Sequence, residues 1–300
     1  GRGDTTTYQS GAALLKNMLV LPQGGLQNRP GTEFIAEVKD SSLPARLIPF
    51  IFSDEQAYVL EFGNNYIRVY RNQFQVTYAA KNITGITNAN PAVVTINSHG
   101  YSNGAQIDIN GVIGMTELNG RRFTVANVTT NTFELSGTNS TAYGVYSSGG
   151  TASEIFEIPS STISTAMLDE FQHAQSADTM WLTHQGTQPQ KLTRSGHTSW
   201  TVGNYNPTSN PFSGDYPACV AIYEQRICFA NTPLNPQKFW ASKSNDYQDM
   251  TTGTGDGDGY IYVLGTNDAN PIQWLFPDQQ LLLGTKGGVF VGHGSGFDDP

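Results

Sequence analysis

Three hundred residues carry only 14% charged side chains, a formal net charge of −9, 32 glycines, 14 tyrosines and 15 phenylalanines. This balance argues against a helical bundle or a disordered chain and fits strands and turns beneath large uncharged surfaces. The acidic excess disfavours a protein that grips nucleic acid through phosphates, yet it suits a surface past which DNA must slide.

The sequence has no run of about 18 apolar residues, so no transmembrane helix is expected, and it shows no signal-peptide pattern. Residues 1–32 read as a turn-rich connector punctuated by Gly24-Gly25 and Pro30-Gly31, with a short helix expected over about 9–18. The tripeptide Arg2-Gly3-Asp4 is a chance-level motif. Residues 33–81 read as a first blade-like unit. Strands are expected over Phe34–Val38 and Ala45–Phe52, and a hairpin over Asp54–Phe62 and Tyr66–Tyr70 with Gly63-Asn64-Asn65 as its turn.

Residues 82–152 change in composition. Asn, Thr, Gly and Ser crowd short strands such as Val93–Ile96, Gln106–Ile109, Arg122–Val125 and Thr132–Leu135, with turn signals at Asn110-Gly111 and Asn119-Gly120. Four or more strands in so short a stretch predict a small inserted β-barrel or sandwich. From Ser161 to Gln175 the pattern turns helical: Thr165 can cap, Met167, Leu168 and Phe171 line one face, and Asp169 and Glu170 favour the first turns.

Residues 153–300 repeat one supersecondary unit. Asp178 to His184 leads through a polar loop to Pro189-Gln190-Lys191 and closes near Trp200. Glu224 to Asn231 leads to Pro236-Gln237-Lys238 and closes near Tyr247. Asp278 to Gly284, then Val289 to Val291, opens a further copy. The acidic starts Asp178, Glu224 and Asp278 lie roughly 46 and 54 residues apart, the period of a four-stranded propeller blade. Asp54 joins this spacing once residues 82–152 are set aside. The fold expected is therefore all-β, a partial β-propeller of antiparallel blades with an inserted small β domain and one or two short helices; a β-sandwich with similar hairpins is the alternative.

The two cysteines, Cys219 and Cys228, flank a tight turn around Glu224-Gln225, whose cross-strand pairing follows if its loop has two residues. Tyr223 then faces Arg226, Ala221 faces Cys228 and Cys219 faces Ala230. The thiols are only diagonal neighbours, about 7–8 Å apart, beyond comfortable disulfide reach. Both read as buried thiols.

Catalytic signatures are sparse. The Gly253–Gly259 loop leads into a strand, so no helix terminus meets an anion there. Asp256 and Asp258 offer two oxygen ligands for calcium without the rest of a loop motif. His99, His173, His184, His197 and His293 show no zinc spacing. Gly292-His293-Gly294-Ser295-Gly296 puts glycine where a nucleophile elbow needs serine. No catalytic residue, cofactor or metal is assigned.

The ordered series Gly1-Arg2-x-Asp4, Tyr8, Gly11-Ala12, Asn17, Leu21-Pro22-x-Gly24-Gly25 and Arg29-Pro30-Gly31-Thr32-x-Phe34 resembles the N-terminal region of tailed-bacteriophage tail proteins, specifically the tail tubular protein B, or nozzle, of short-tailed phages. Arg46–Ser53, Gln56-x-Tyr58 to Phe62, Gln175–Asp178 and Pro236-Gln237-x-x-Trp240 continue the resemblance over nearly all of the chain outside 82–152. The insert departs from the plain nozzle pattern. It resembles a β-barrel module of some phage tail proteins named after a catalytic-cysteine half-domain of ubiquitin-activating enzymes, and fold likeness carries no ubiquitin chemistry.

This resemblance implies a structural virion protein of the tail, made in the host bacterial cytoplasm and not an enzyme. It implies a ring homo-oligomer, expected to be a hexamer, that retains DNA and provides its exit channel. The partners it implies are an adaptor or upper tail tube protein, tail fibres or spikes, and phage DNA passing without sequence recognition. It makes Arg2 and Asp4 an ion pair or cap, and it leads us to expect further residues upstream of Gly1 and beyond Pro300. The competing expectation is a host-glycan-binding adhesin or polysaccharide depolymerase with a propeller fold, using Trp181, Trp200, Trp240 and tyrosines as sugar platforms.

Overall fold

The computed structural model describes residues 14–21, 25–53, 56–265, 269–293 and 296–298. The chain divides into two compact units, residues 1–36 and 37–300. In the first, Met18–Val20 pairs antiparallel with Leu26–Asn28. Most of the helix expected at 9–18, and Arg2-Gly3-Asp4, lie outside the described residues. Its described end is not helical: Asn17 takes φ 56° and Met18 opens a strand.

The second unit is all-β, with four small antiparallel sheets arranged as propeller blades. The first blade is Arg46–Ile51, Ala57–Gly63, Tyr66–Arg71 and Glu157–Pro159, with the short strand Phe74–Gln75 beside the third. The second is Gln172–Ser176, Thr179–His184, Thr187–Gly196 and Ser199–Asn204. The third is Cys219–Tyr223, Arg226–Ala230, Lys238–Ala241 and Tyr260–Val263. The fourth is Ile272–Pro277, Leu281–Thr285, Val289–His293 and Gly296–Asp298.

Strand alternation sends each apolar set to one neighbour. Ile48, Phe50, Leu60 and Val69 of the first blade pack on Met180, Leu182, Leu192 and Trp200 of the second. The intervening Trp181 points the other way and joins Val220, Ile227, Phe229 and Trp240 of the third. Cys219, Cys228 and Phe239 then meet Ile272, Leu275 and Leu283 of the fourth. The sheets thus stack face to face in chain order with an apolar layer between each pair. A sandwich, with one such layer, does not describe them.

Between the third and fourth strands of the first blade the chain leaves for a separate seven-stranded sheet. Its strands run in the order Lys81–Asn82, Ser148–Glu154, Gln106–Ile113, Arg121–Ala126, Thr132–Leu135, Val93–Thr95 and Gly85–Ile86. A bridge between Thr77 and Ile155 closes its neck. Val94, Ile107, Ile109, Phe133 and Leu135 fill its own core. Asn110-Gly111 does not turn the chain as its sequence predicts. Gly111, at φ 72°, lies within a strand that runs on beside Ser148–Glu154 after Arg121–Ala126 has stopped pairing with it.

Three other expectations change. Phe34–Val38 forms no strand, and Phe34 is exposed. The helix expected over 161–175 shrinks to a 3-10 turn at Thr165–Met167, whose preceding Ser164 makes no side-chain cap. Gln172–Ser176 instead pairs with Thr179–His184, so sheet pairing wins over a weak helical pattern. Leu168 and Phe171 are still buried, through the turn. The third blade closes at Tyr260–Val263, not near Tyr247, which packs edge-on against Trp181 at 5.3 Å.

Candidate ligand cleft at the third and fourth blades

Glu224 and Gln225, at φ 46° and 61°, make the tight turn between the first two strands of the third blade. The next residue, Arg226, points inward and is buried. Its guanidinium donates from Nη1 to the carbonyls of Ser242 and Asp258, both at 2.6 Å, and from Nη2 to that of Asp256 at 2.5 Å. It also lies over the Tyr260 ring, 5.2 Å from its centroid. One buried cation therefore fixes the glycine-rich loop that joins the third strand to the fourth.

The Asp258 carboxylate folds back to accept the Gly255 amide at 3.1 Å. Gly253 lies so close to that carboxylate that a Cβ there would displace it from its present position. Together the turn, the loop and the edge of the fourth blade enclose a cleft of about 520 Å³, lined by Tyr223, Glu224, Arg226, residues 253–256, 258–260, Tyr262, Leu281 and Gly292. Tyr223 spans to the fourth blade, its hydroxyl donating to the Gln279 carbonyl at 3.3 Å. Burial and the nearby Glu224 raise the Tyr223 pKa, and burial above all raises that of Tyr260, so both remain hydroxyl donors at neutral pH.

The structure redistributes the sequence candidates. Trp181, Trp200 and Trp240 are 3%, 8% and 3% exposed, so they are core residues and cannot serve as sugar platforms. Asp256 and Asp258 do line the cleft, but no group of three His, Cys, Asp or Glu able to hold a metal exists among the described residues. His99 is buried in the insert, accepting the Tyr101 amide at 3.0 Å, and His184 pairs with Glu170 at 3.0 Å. His197 bridges blades, 2.7 Å from the Tyr58 hydroxyl and 3.2 Å from Arg71. Gly294-Ser295 of the elbow-like segment lies outside the described residues.

Cys219 and Cys228 are free, buried thiols in the expected register, Cys219 opposite Ala230 and Ala221 opposite Cys228. Burial pushes each pKa up to about 12. Sequence reasoning missed Arg226 and Tyr262. The available signal was an arginine opening an apolar strand, upstream of a glycine-rich loop that carries no cation of its own.

Residues 89–155 match the family of the ubiquitin-activating enzyme E1 FCCH domain. That stretch corresponds to the inserted sheet. No curated protein matches the sequence. Among solved structures, the chain is similar to the endosialidase of phage phi92, at 13% identity and a TM-score of 0.32, over 84% of this chain and 42% of that one. It is also similar to apo AztD from Citrobacter koseri, at 14% identity and a TM-score of 0.30, over 81% of this chain and 55% of that one. The chain thus spans about half the length of these structures or less, and at such scores neither likeness bears on activity.

Proposed function

We propose that this chain is a structural protein of a short-tailed bacteriophage tail, assembling side by side into the distal nozzle ring, a hexamer, through which DNA leaves the virion. The sequence resemblance along the connector and blades motivates this reading, and one structural observation carries it. Apolar side chains stand exposed on both end blades: Leu47, Ile51 and Val59 on the first, at the edge of a face whose Glu61 and Arg68 are buried with Arg68 donating to Gln106 of the insert, and Trp274, Phe276 and Val289 on the fourth. Apolar sheet faces of this kind mark packing surfaces, for a neighbouring subunit or for further blades of the same chain. Two different faces on one subunit suit head-to-tail packing, which makes a ring where the rotation between subunits closes.

The net charge of −9 supports a lumen that passes DNA without holding its phosphates. The insert, built on a neck in the first blade, would project toward fibres, spikes or an adaptor protein. Mass photometry and electron microscopy of the protein alone and on virions test the reading. A six-fold ring on the tail axis is expected, and a monomer or trimer away from that axis would sink it.

A second reading, a host-glycan-binding adhesin or depolymerase, loses its tryptophan platforms. The polar, tyrosine-lined cleft beside Arg226 is what favours it.

A further inference from the structure

We infer that the cleft between the third and fourth blades binds a neutral or cationic saccharide segment. At about 520 Å³ it falls within the roughly 300–1,000 Å³ of small-ligand sites. Its charge sets the ligand class. Glu224, Asp256 and Asp258 line it, while the one cation among its described lining residues, Arg226, spends its Nη donors on the carbonyls of Ser242, Asp256 and Asp258. Lys243, nearby, is paired with Asp249 at 3.0 Å. Phosphate, sulfate or carboxylate groups would enter against three carboxylates and find no guanidinium to receive them. Hydroxyl and ammonium groups would find acceptors.

The walls narrow the choice further. Tyr223, Tyr260 and Tyr262 form the aromatic walls, and Tyr262, 39% exposed, presents ring surface to the C–H face of a pyranose. Leu281 is the only aliphatic side chain among the described lining residues. The aliphatic side chains of a peptide would find little to pack against among these walls. The site is also preorganised: Arg226 holds the loop carbonyls and the Asp258 carboxylate holds the Gly255 amide, so little ordering remains to oppose binding. The inference does not depend on ring assembly, because binding is read on the subunit and assembly on its mass.

The test is titration of the full 300-residue chain with a glucosamine tetramer, an N-acetylglucosamine tetramer and an oligosialic acid, followed by saturation-transfer NMR and calorimetry. The cationic and neutral sugars should bind, the cationic one with the steeper salt dependence, and the anionic one should not. Glu224→Gln and Tyr262→Ala should each weaken binding at least about tenfold. Glu224→Gln preserves side-chain shape and so covers the case in which Tyr262→Ala misfolds, and Val145→Ala, exposed on the insert and outside the cleft, should leave affinity unchanged. Binding of the sialic oligomer as tight as that of the others would overturn the inference. So would silence from both glucosamine sugars, indifference to both cleft variants, or octalysine binding where the sugars do not.

Discussion

Arg226 and Asp258 meet backbone-wise: the guanidinium Nη1 donates to the Asp258 carbonyl at 2.6 Å, while the Asp258 carboxylate is left to the loop's own Gly255 amide. The cation is therefore a scaffold for the loop and not an ion-pair partner of its acids. Arg226→Met keeps an unbranched side chain in the site but removes the guanidinium from over Tyr260 and leaves the carbonyls of Ser242, Asp256 and Asp258 without their donor. Buried unpaired groups cost about 1–3 kcal/mol, so urea unfolding should show a loss at the upper end of that range. Proteolysis should then cut between 251 and 259. A variant as stable as the parent, with an uncut loop, would mean that the loop holds itself.

How much of this was legible beforehand depends on how local each signal was. Glu224-Gln225 sits between two apolar strands, so a two-residue turn fixed every cross-strand partner down to Cys219 opposite Ala230. The acidic starts recur because each lies at the turn before a blade's second strand, as Asp178 does where it accepts the Arg194 Nε at 2.7 Å. The 161–175 stretch misled because Met167, Leu168 and Phe171 have helical spacing while Gln172–Ser176 is recruited by a strand that follows it. The cleft was invisible, since Glu224, Asp258 and Leu281 come together only when two blades stack.

His173 supplies a pH dependence. Burial, helped by the nearby Arg46, holds its pKa below the usual 6.5, so the folded state binds the proton less well than the unfolded state. Its contribution to stability is complete above pH 6.5 and is lost as pH falls through 6.5 toward the lower folded value. Melting temperature should drop between pH 7 and 5. His173→Gln should remove part of that drop while changing little at pH 8. An identical pH slope in the variant would assign the drop to other groups.

Cys219 and Cys228 should be chemically silent in the folded protein. Both thiols are buried, with pKa values pushed up to about 12, so almost no thiolate exists at pH 8. Iodoacetamide at pH 8 should modify neither until denaturant is added, and then both, without prior reduction. Rapid native labelling would show that the third and fourth blades separate readily, since both thiols lie in the layer between them.

The outer faces of the end blades supply the sharpest test of assembly. Val59 and Phe276 are exposed on sheets whose opposite faces are already packed, so a carboxylate at either position touches no core. Val59→Asp and Phe276→Asp should each change unfolding free energy by no more than about 0.5 kcal/mol, as surface substitutions do. Each should nevertheless lower the mass of the assembled species toward a single subunit, because a charge buried in an apolar interface without a partner is costly. Head-to-tail packing makes a stricter demand than symmetric pairing. The two variants each retain one intact face, so an equimolar mixture should form dimers through the remaining good pair and stop there, whereas either variant alone keeps its intact face opposite a spoiled one. Mass photometry of the mixture distinguishes these cases. Rings of parental size from either variant would remove these faces from the assembly contacts.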